Sequence, residues 1–247
     1  MENKFSPFGD CGIRISFGNE LSPALNRKLM NLKERIEARK INEVTDIIPS
    51  YTTLSIFYDA FKTTYSDMCT KLEKILAEEN ESVTNTPLIY HIPTCYEFPF
   101  NLDLDDVARI NRLSTEEVIS IHSGEQYYIY MLGFLPGFPY LGGMDARIAT
   151  PRLSSPRLNV PPGSVGIAGE QTGIYPLQSP GGWRIIGKTP LRLYDSSNDP
   201  TILLSAGNYV RFYPVSFQEY NEIEQEVKSG TFRIKTTVYK GETNVAN

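Results

Sequence analysis

Between Gly133 and Pro190 the chain places eleven of its eighteen glycines and nine of its seventeen prolines. Glycine opens backbone angles closed to other residues, while proline fixes φ and cannot donate to a sheet ladder. A disordered linker shares that richness but lacks apolar load. This stretch carries Phe134, Phe138, Tyr140, Tyr175 and the only tryptophan, Trp183, together with the short runs VGIA and WRII. It reads as a folded wall of short strands and tight loops, shaped around something. Its charge balance also differs from its surroundings. It holds five Lys/Arg against two Asp/Glu, in a chain of formal net charge −5. A cationic, aromatic-lined surface on an acidic protein points to a small anionic ligand.

At 247 residues the chain is long enough for one large or two modest domains. Cys11, Cys69 and Cys95 are an odd, scattered set without CxxC spacing, which fits a reducing compartment and no disulfide framework. Two histidines, His91 and His122, exclude a histidine-rich metal site, and no metal ligand set is expected. No run approaches the ~20 apolar residues of a membrane span, and MENKFSPFGD has no apolar signal core. A cytoplasmic protein is expected, with no membrane partner. The acidic balance without a basic run also argues against nucleic acid.

CGIRISF alternates like a half-buried strand, and Ser22-Pro23 supplies a helix cap before proline at the first helical position. Leu25, Leu29, Leu32 and Ile36 continue at helical spacing, predicting a helix over 23–39. VTDIIPS and TTLSIFYD read as strands around Pro49, and a second helix is predicted over 66–79. NESVTNTP, 80–87, is a polar linker. The expected organisation is a small α+β domain over 1–86, in the order β-α-β-β-α, and a second domain over 87–247. The latter opens with the strand PLIYHIP and two short helices, the second with the capping box Ser114-x-x-Glu117. Short strands and turns then suit a closed or nearly closed barrel. Ser216-x-x-Glu219 starts a helix ending at Gly230, and TFRIKTTVY alternates like a final strand.

Several motifs fail on physical context. Gly182-WRII-Gly187-Lys188-Thr189 matches the phosphate-loop expression, but its middle is a bulky strand-like run and Pro190 follows before strand-like LRLY. Lys188 reads instead as a plain cation at a strand end. The helix pair about Arg112-Leu113 has helix-turn-helix spacing, yet Glu116 and Glu117 would be repelled by phosphates. Ser164 and Ser179 lack the glycine two residues earlier that a nucleophile elbow requires. His122 ends its helix, where it reads as a surface histidine or as a proton carrier beside the wall. Arg152 and Arg157 recur in PR-x-x-x-PR, each behind a proline. Their planar forks suit carboxylate and phosphoryl groups, and equally a pairing with the protein's own acids. Trp183, after Pro180-Gly181-Gly182, is core or the neighbour of a closely approaching ligand.

The ordered series MLGFLPGFPYLGG, ATPR…SPR, VPPGSVGIAGEQTGIYP, SPGGWRIIGKTPLRLYD and AGNYVRF, with ISFG and IPSYTTLSIFYD upstream, resembles the family of 5-oxoprolinase B subunits. That family is also called the KipI family and is related to allophanate hydrolase subunit 1 and to the carboxyltransferase region of urea carboxylase. The resemblance runs over roughly residues 5–220. IPTCYEFPFNLDL departs from it by losing glycines, which implies another loop shape or a partner-specific contact. The resemblance implies an α+β N-terminal domain followed by a cyclophilin-like β-barrel C-terminal domain. It implies a non-autonomous subunit that, with a C-type barrel protein and an A-type protein of the same enzyme, opens 5-oxo-L-proline to L-glutamate. ATP is then the co-substrate of the assembled complex, with no tightly bound cofactor. The alternative it carries is a regulatory protein that binds a sensor histidine kinase and blocks its autophosphorylation. On the enzyme reading Arg152, Arg157 and Lys188 supply cations and Gln171 and Tyr175 orient the lactam. Trp183 and His122 complete the substrate-binding set, and Gly163, Gly181 and Gly182 supply backbone donors. No nucleophile or base is assigned.

Overall fold

The computed structural model describes residues 4–78 and 86–240. The chain divides into two compact units, Met1–Asn85 and Thr86–Asn247. Most of the expected linker over 80–87, and the last residue of the helix expected over 66–79, lie outside the described residues.

The first unit contains β1 (Lys4–Pro7), β2 (Gly12–Ser16), α1 (Pro23–Ala38), β3 (Val44–Pro49), β4 (Thr53–Tyr58) and α2 (Tyr65–Ala77). Its antiparallel sheet has the order β1-β2-β4-β3. Ser22 Oγ accepts the Leu25 N–H at 3.2 Å with proline at the first helical position, so α1 starts where its cap dictates. Leu29, Leu32 and Ile36 of α1 and Met68, Leu72 and Ile75 of α2 bury against Ile13, Ile15, Leu54 and Ile56. The unit therefore has one more strand than the expected β-α-β-β-α order. β1 is an edge strand of four residues ending in proline, too short for alternation to register and tolerable only at an edge.

The second unit begins with β5 (Leu88–Thr94), α3 (Leu104–Asn111), α4 (Thr115–Gly124), β6 (Tyr127–Leu132) and β7 (Pro139–Gly142). The glycine-proline wall supplies β8 (Arg157–Val160), β9 (Ser164–Ala168), β10 (Gln171–Ile174), β11 (Ser179–Gly181) and β12 (Arg184–Lys188). β13 (Tyr209–Pro214), α5 (Phe217–Ser229) and β14 (Thr236–Val238) finish it. The strands pair as an eight-stranded sheet, β12-β9-β10-β7-β6-β13-β5-β14, and a separate ribbon, β11-β8. The result is a mixed α+β unit built on an eight-stranded sheet and a two-stranded ribbon. β13 lies parallel to β5, and the other pairings are antiparallel. The edge strand β12 is also bridged to the residue after β5. Cys95 and Lys188 exchange both backbone hydrogen bonds, at 2.8 and 2.9 Å.

Both capping boxes form as expected, Ser114 with Glu117 and Ser216 with Glu219, and Gly230 closes α5 at φ +73°. LRLY is not a strand. Between Pro190 and β13 the chain makes only an isolated bridge, Tyr194 with Ile202. TFRIKTTVY contributes only Thr236–Val238 to a ladder, a short one with β5, while Phe232 and Ile234 before it are half-buried against the main core. The main core joins Ile92, Tyr127, Ile129, Val210 and Phe212 to Val165, Ile167, Ile174 and Ile186, with α3 and α4 covering them through Leu104, Val107 and Val118. Strand residues alternate faces, so Gly166, Ala168, Gly173 and Ile185 point away from that core.

Candidate functional site

On this opposite face Gly166 and Gly173 lie directly across from each other in the β9–β10 ladder. Two absent side chains leave a shallow seat, and Trp183 and Phe138 fill it. A Cβ on Gly173 would stand 3.0 Å from the Trp183 ring and 3.3 Å from the Phe138 ring. A Cβ on Gly166 would stand 3.2 Å from the Trp183 Cβ. Glycine inside a strand marks close approach of this kind. The rings of Phe138 and Trp183 meet edge-to-face at 5.4 Å, as do Phe138 and Tyr175. Val160, Ala168 and Ile185 complete a second hydrophobic cluster, distinct from the main core. Outermost stands Phe134, with its ring edge-to-face on Phe138 at 5.9 Å and 68% exposed. Its φ of +68° is an unusual conformation for a bulky residue.

Arg152 is exposed at the edge of this wall, its guanidinium carbon 5.9 Å from the centre of the Trp183 ring. Its loop is tied down on both sides. The Leu153 N–H donates to the Gly182 carbonyl at 2.8 Å, and Arg184 Nε donates to the Pro151 carbonyl at 3.0 Å. Among the described residues Arg152 has no carboxylate partner.

Arg157 differs. Both its terminal nitrogens donate to Asp103, at 2.9 and 2.7 Å, and the same carboxylate accepts the Ile185 N–H at 2.6 Å. Asp103 is buried, so the pair anchors the start of α3 to β12 and to the β8–β11 ribbon. The expected clamp of two open arginines is therefore one open arginine and one engaged by an internal acid. Arg184 likewise reaches Asp106, at 3.0 Å.

The remaining expected residues separate. Tyr175 is buried beneath the wall, and a Cβ on Gly181 would clash with its ring. Gly163, at φ +83°, already donates its N–H to the Tyr175 carbonyl at 2.7 Å and accepts from Thr189, so its amide is not open to a ligand. Gly182 lies beside Pro156 at the wall's edge. Gln171, half-buried, opens β10 opposite Ala168. Lys188 belongs to another cluster. Its ammonium lies 5.1 Å from the centre of the Phe100 ring and 5.9 Å from that of Tyr220. Burial there pushes its pKa down. It ends a strand and no helix follows, so the phosphate-loop geometry is absent at this lysine.

His122 corrects both readings of it. It is fully buried, neither on the surface nor open to substrate, because α4 turns its last side chains into the sheet. Burial pushes its pKa down to about 3, so it is neutral at pH 7 and is no proton carrier there. Its Nε2 lies 2.9 Å from Thr172 Oγ1, whose own proton goes to the Gly166 carbonyl at 3.1 Å. Nε2 must therefore carry the imidazole proton, and Nδ1 accepts from the Tyr96 hydroxyl at 2.7 Å. This buried chain ends on the strand pair that seats Trp183. The sequence offered no direct signal for Asp103, Tyr96 or Thr172. Gly166 and Gly173, glycines inside strand-like runs, were the legible hint.

Residues 3–204 match the family model described as carboxyltransferase domain, subdomain C and D. Over 228 residues the chain is 43% identical to the 5-oxoprolinase B subunit of Bacillus subtilis (strain 168), covering 88% of this chain and 95% of that protein. The chain belongs to the 5-oxoprolinase B-subunit family. The crystal structure of TTHA0988 superposes on 83% of this family member with a TM-score of 0.74 at 33% identity, but only 40% of the TTHA0988 chain takes part. The urea amidolyase of K. lactis shares the fold, with a TM-score of 0.77 over 95% of this chain at 20% identity and 16% of its own length. No helix among the described residues is long and apolar enough to cross a membrane.

Proposed function

We propose that this protein is the B subunit of an ATP-dependent 5-oxoprolinase, opening 5-oxo-L-proline to L-glutamate with its A and C partner subunits in the cytoplasm. The observation that carries the reading is the 43% identity to a 5-oxoprolinase B subunit over nearly the whole of both chains. The wall is chemically apt. Arg152 offers an unpaired guanidinium for the lactam's carboxylate, and its two parallel N–H groups match both oxygens. Phe134, exposed at the outer edge of the cluster that buries Trp183, offers a flat apolar face for the five-membered ring. The backbone at Gly182, bare of a side chain at the wall's edge, allows a ligand to approach closely, whereas the space at Gly181 is taken by the Tyr175 ring. Arg157 acts through Asp103 to hold this wall against β12.

A lactam is poorly electrophilic, and ATP supplies the driving force for its opening in the assembled complex. The wall of this chain holds cations and amides but no paired nucleophile and base among the described residues, as suits part of a site completed by other subunits. The Cys95–Lys188 bridge supports a barrel of the cyclophilin-like type, because it links β12 to the end of β5 across the sheet, leaving β14 outside the ring. The test is reconstitution from purified A, B and C subunits. Glutamate and phosphate release should require all three with ATP. Turnover by this chain alone, or none by a folded three-part mixture, would refute the reading.

A further inference from the structure

The loop over 96–102 is fixed at both ends and yet turns apolar side chains into water. Cys95 pairs with Lys188 at one end, and the Asp103 N–H donates to the Ile185 carbonyl at 2.8 Å at the other. Within it, the Phe100 N–H closes a turn onto the Glu97 carbonyl at 2.9 Å. Phe100 packs on Tyr220 and Phe217 of α5, with ring centres 4.5 and 5.7 Å away, and the Lys188 ammonium lies over its ring. The backbone is thus held while Phe98 is 84% exposed and Leu102 55% exposed. Phe217 and Tyr213 are also exposed. Fully burying one such side chain is worth about 1.5–3 kcal/mol, which this fold leaves unrealised several times over on one face. The exposed charges nearest these residues in the loop and in the opening turns of the two helices are the acidic Glu97, Asp105, Glu219 and Glu222, against the basic Arg211 beside Tyr213 on β13 and Lys188 over the Phe100 ring.

An occupant follows from chain lengths. In TTHA0988 a unit like this one makes up 40% of a longer polypeptide, so further protein is joined to it there. The 5-oxoprolinase B subunit of Bacillus subtilis is matched over 95% of its own length, so in that relative the unit stands without such an addition. We propose that the face made by Phe98, Leu102, Phe217 and Tyr213 docks the separate protein that corresponds to the remainder of TTHA0988, through a surface with an apolar centre and a basic rim. This rests on the subunit reading above and names where the partner binds. A preorganised loop suits docking, since little conformational entropy remains to be lost. Acidic side chains around an apolar centre would steer a basic rim and discourage other partners.

The probe is the companion protein of the source genome that matches the part of TTHA0988 outside this superposition. Its binding to the full-length chain is measured by titration calorimetry and sedimentation. Phe98→Ser with Leu102→Ser should weaken binding by about tenfold or more, as expected of central apolar contacts. Glu97→Lys with Asp105→Lys, both at exposed positions, should weaken it and reduce its salt dependence. Leu158→Ser, at an exposed position in β8, should leave binding unchanged. Circular dichroism and melting confirm that each variant is folded. A companion that binds wild type and all variants alike overturns the docking face and leaves the subunit reading intact. A wild-type dimer that Phe98→Ser dissolves overturns it in favour of a second copy of this chain. Absence of both binding and reconstituted turnover overturns the docking face and the subunit reading together.

Discussion

Replacing each arginine of PR-x-x-x-PR separates an anchor from a ligand contact. Arg157→Ala leaves the buried Asp103 carboxylate with the Ile185 N–H at 2.6 Å and without its two guanidinium bonds. Removing one partner of a buried ion pair costs about 3–5 kcal/mol, because the remaining charge is uncompensated. The Arg157 side chain is 28% exposed, so water enters after truncation and the lower end, about 3 kcal/mol, is expected. At about 2–4 °C per kcal/mol for a chain of this size, melting should fall by roughly 6–12 °C. Arg152→Ala removes an exposed side chain and should change stability by less than about 0.5 kcal/mol. The assay is urea unfolding of both variants beside turnover of the reconstituted complex. Adding Asp103→Asn to Arg157→Ala should restore about 1 kcal/mol or more, since the orphaned charge is gone while an amide oxygen still accepts from Ile185. Arg152→Ala should instead raise KM about tenfold or more, matching a lost charge-assisted bond of about 1.5–3 kcal/mol. An Arg157→Ala protein as stable as wild type would refute the anchor. An Arg152→Ala complex with unchanged KM would refute the contact.

Gly173→Ala should push the Trp183 ring from its seat at a cost of about 1–3 kcal/mol, and since Trp183 is the only tryptophan, intrinsic fluorescence reports it directly. An unchanged emission spectrum would show that the two glycines do not hold the ring. His122 gives a pH dependence whose sign is set by its neutral folded form. Its folded pKa of about 3 lies below the ordinary value of 6.5, so the unfolded chain binds the extra proton. Its contribution is complete above about pH 6.5 and is lost by about 1.4 kcal/mol per unit as pH falls toward 3. Denaturant titrations of wild type and His122→Gln should differ in slope over that interval, and parallel profiles would place the titration elsewhere.

Local chemistry settled what it usually settles. Ser22-Pro23, the two Ser-x-x-Glu boxes and Gly230 set helix ends through hydrogen bonds within a few residues, and those ends stand in the structure within a residue or two. The spacing of Leu29, Leu32 and Ile36 likewise named the buried face of α1. The glycine-proline wall was legible as short strands around aromatics, because only such backbone tolerates that composition. Its partners were not. Asp103 lies 54 residues from Arg157 and Thr172 lies 50 from His122, so neither pairing leaves a local pattern. A helix-end histidine looks the same in sequence whether α4 turns it to water or into the sheet. That choice belongs to packing. Which arginine stays open, which amide is already used and which phenylalanines remain in water depend on what distant strands bring alongside. Sequence spacing records a residue's own periodicity, and only the assembled sheet decides who its neighbours are.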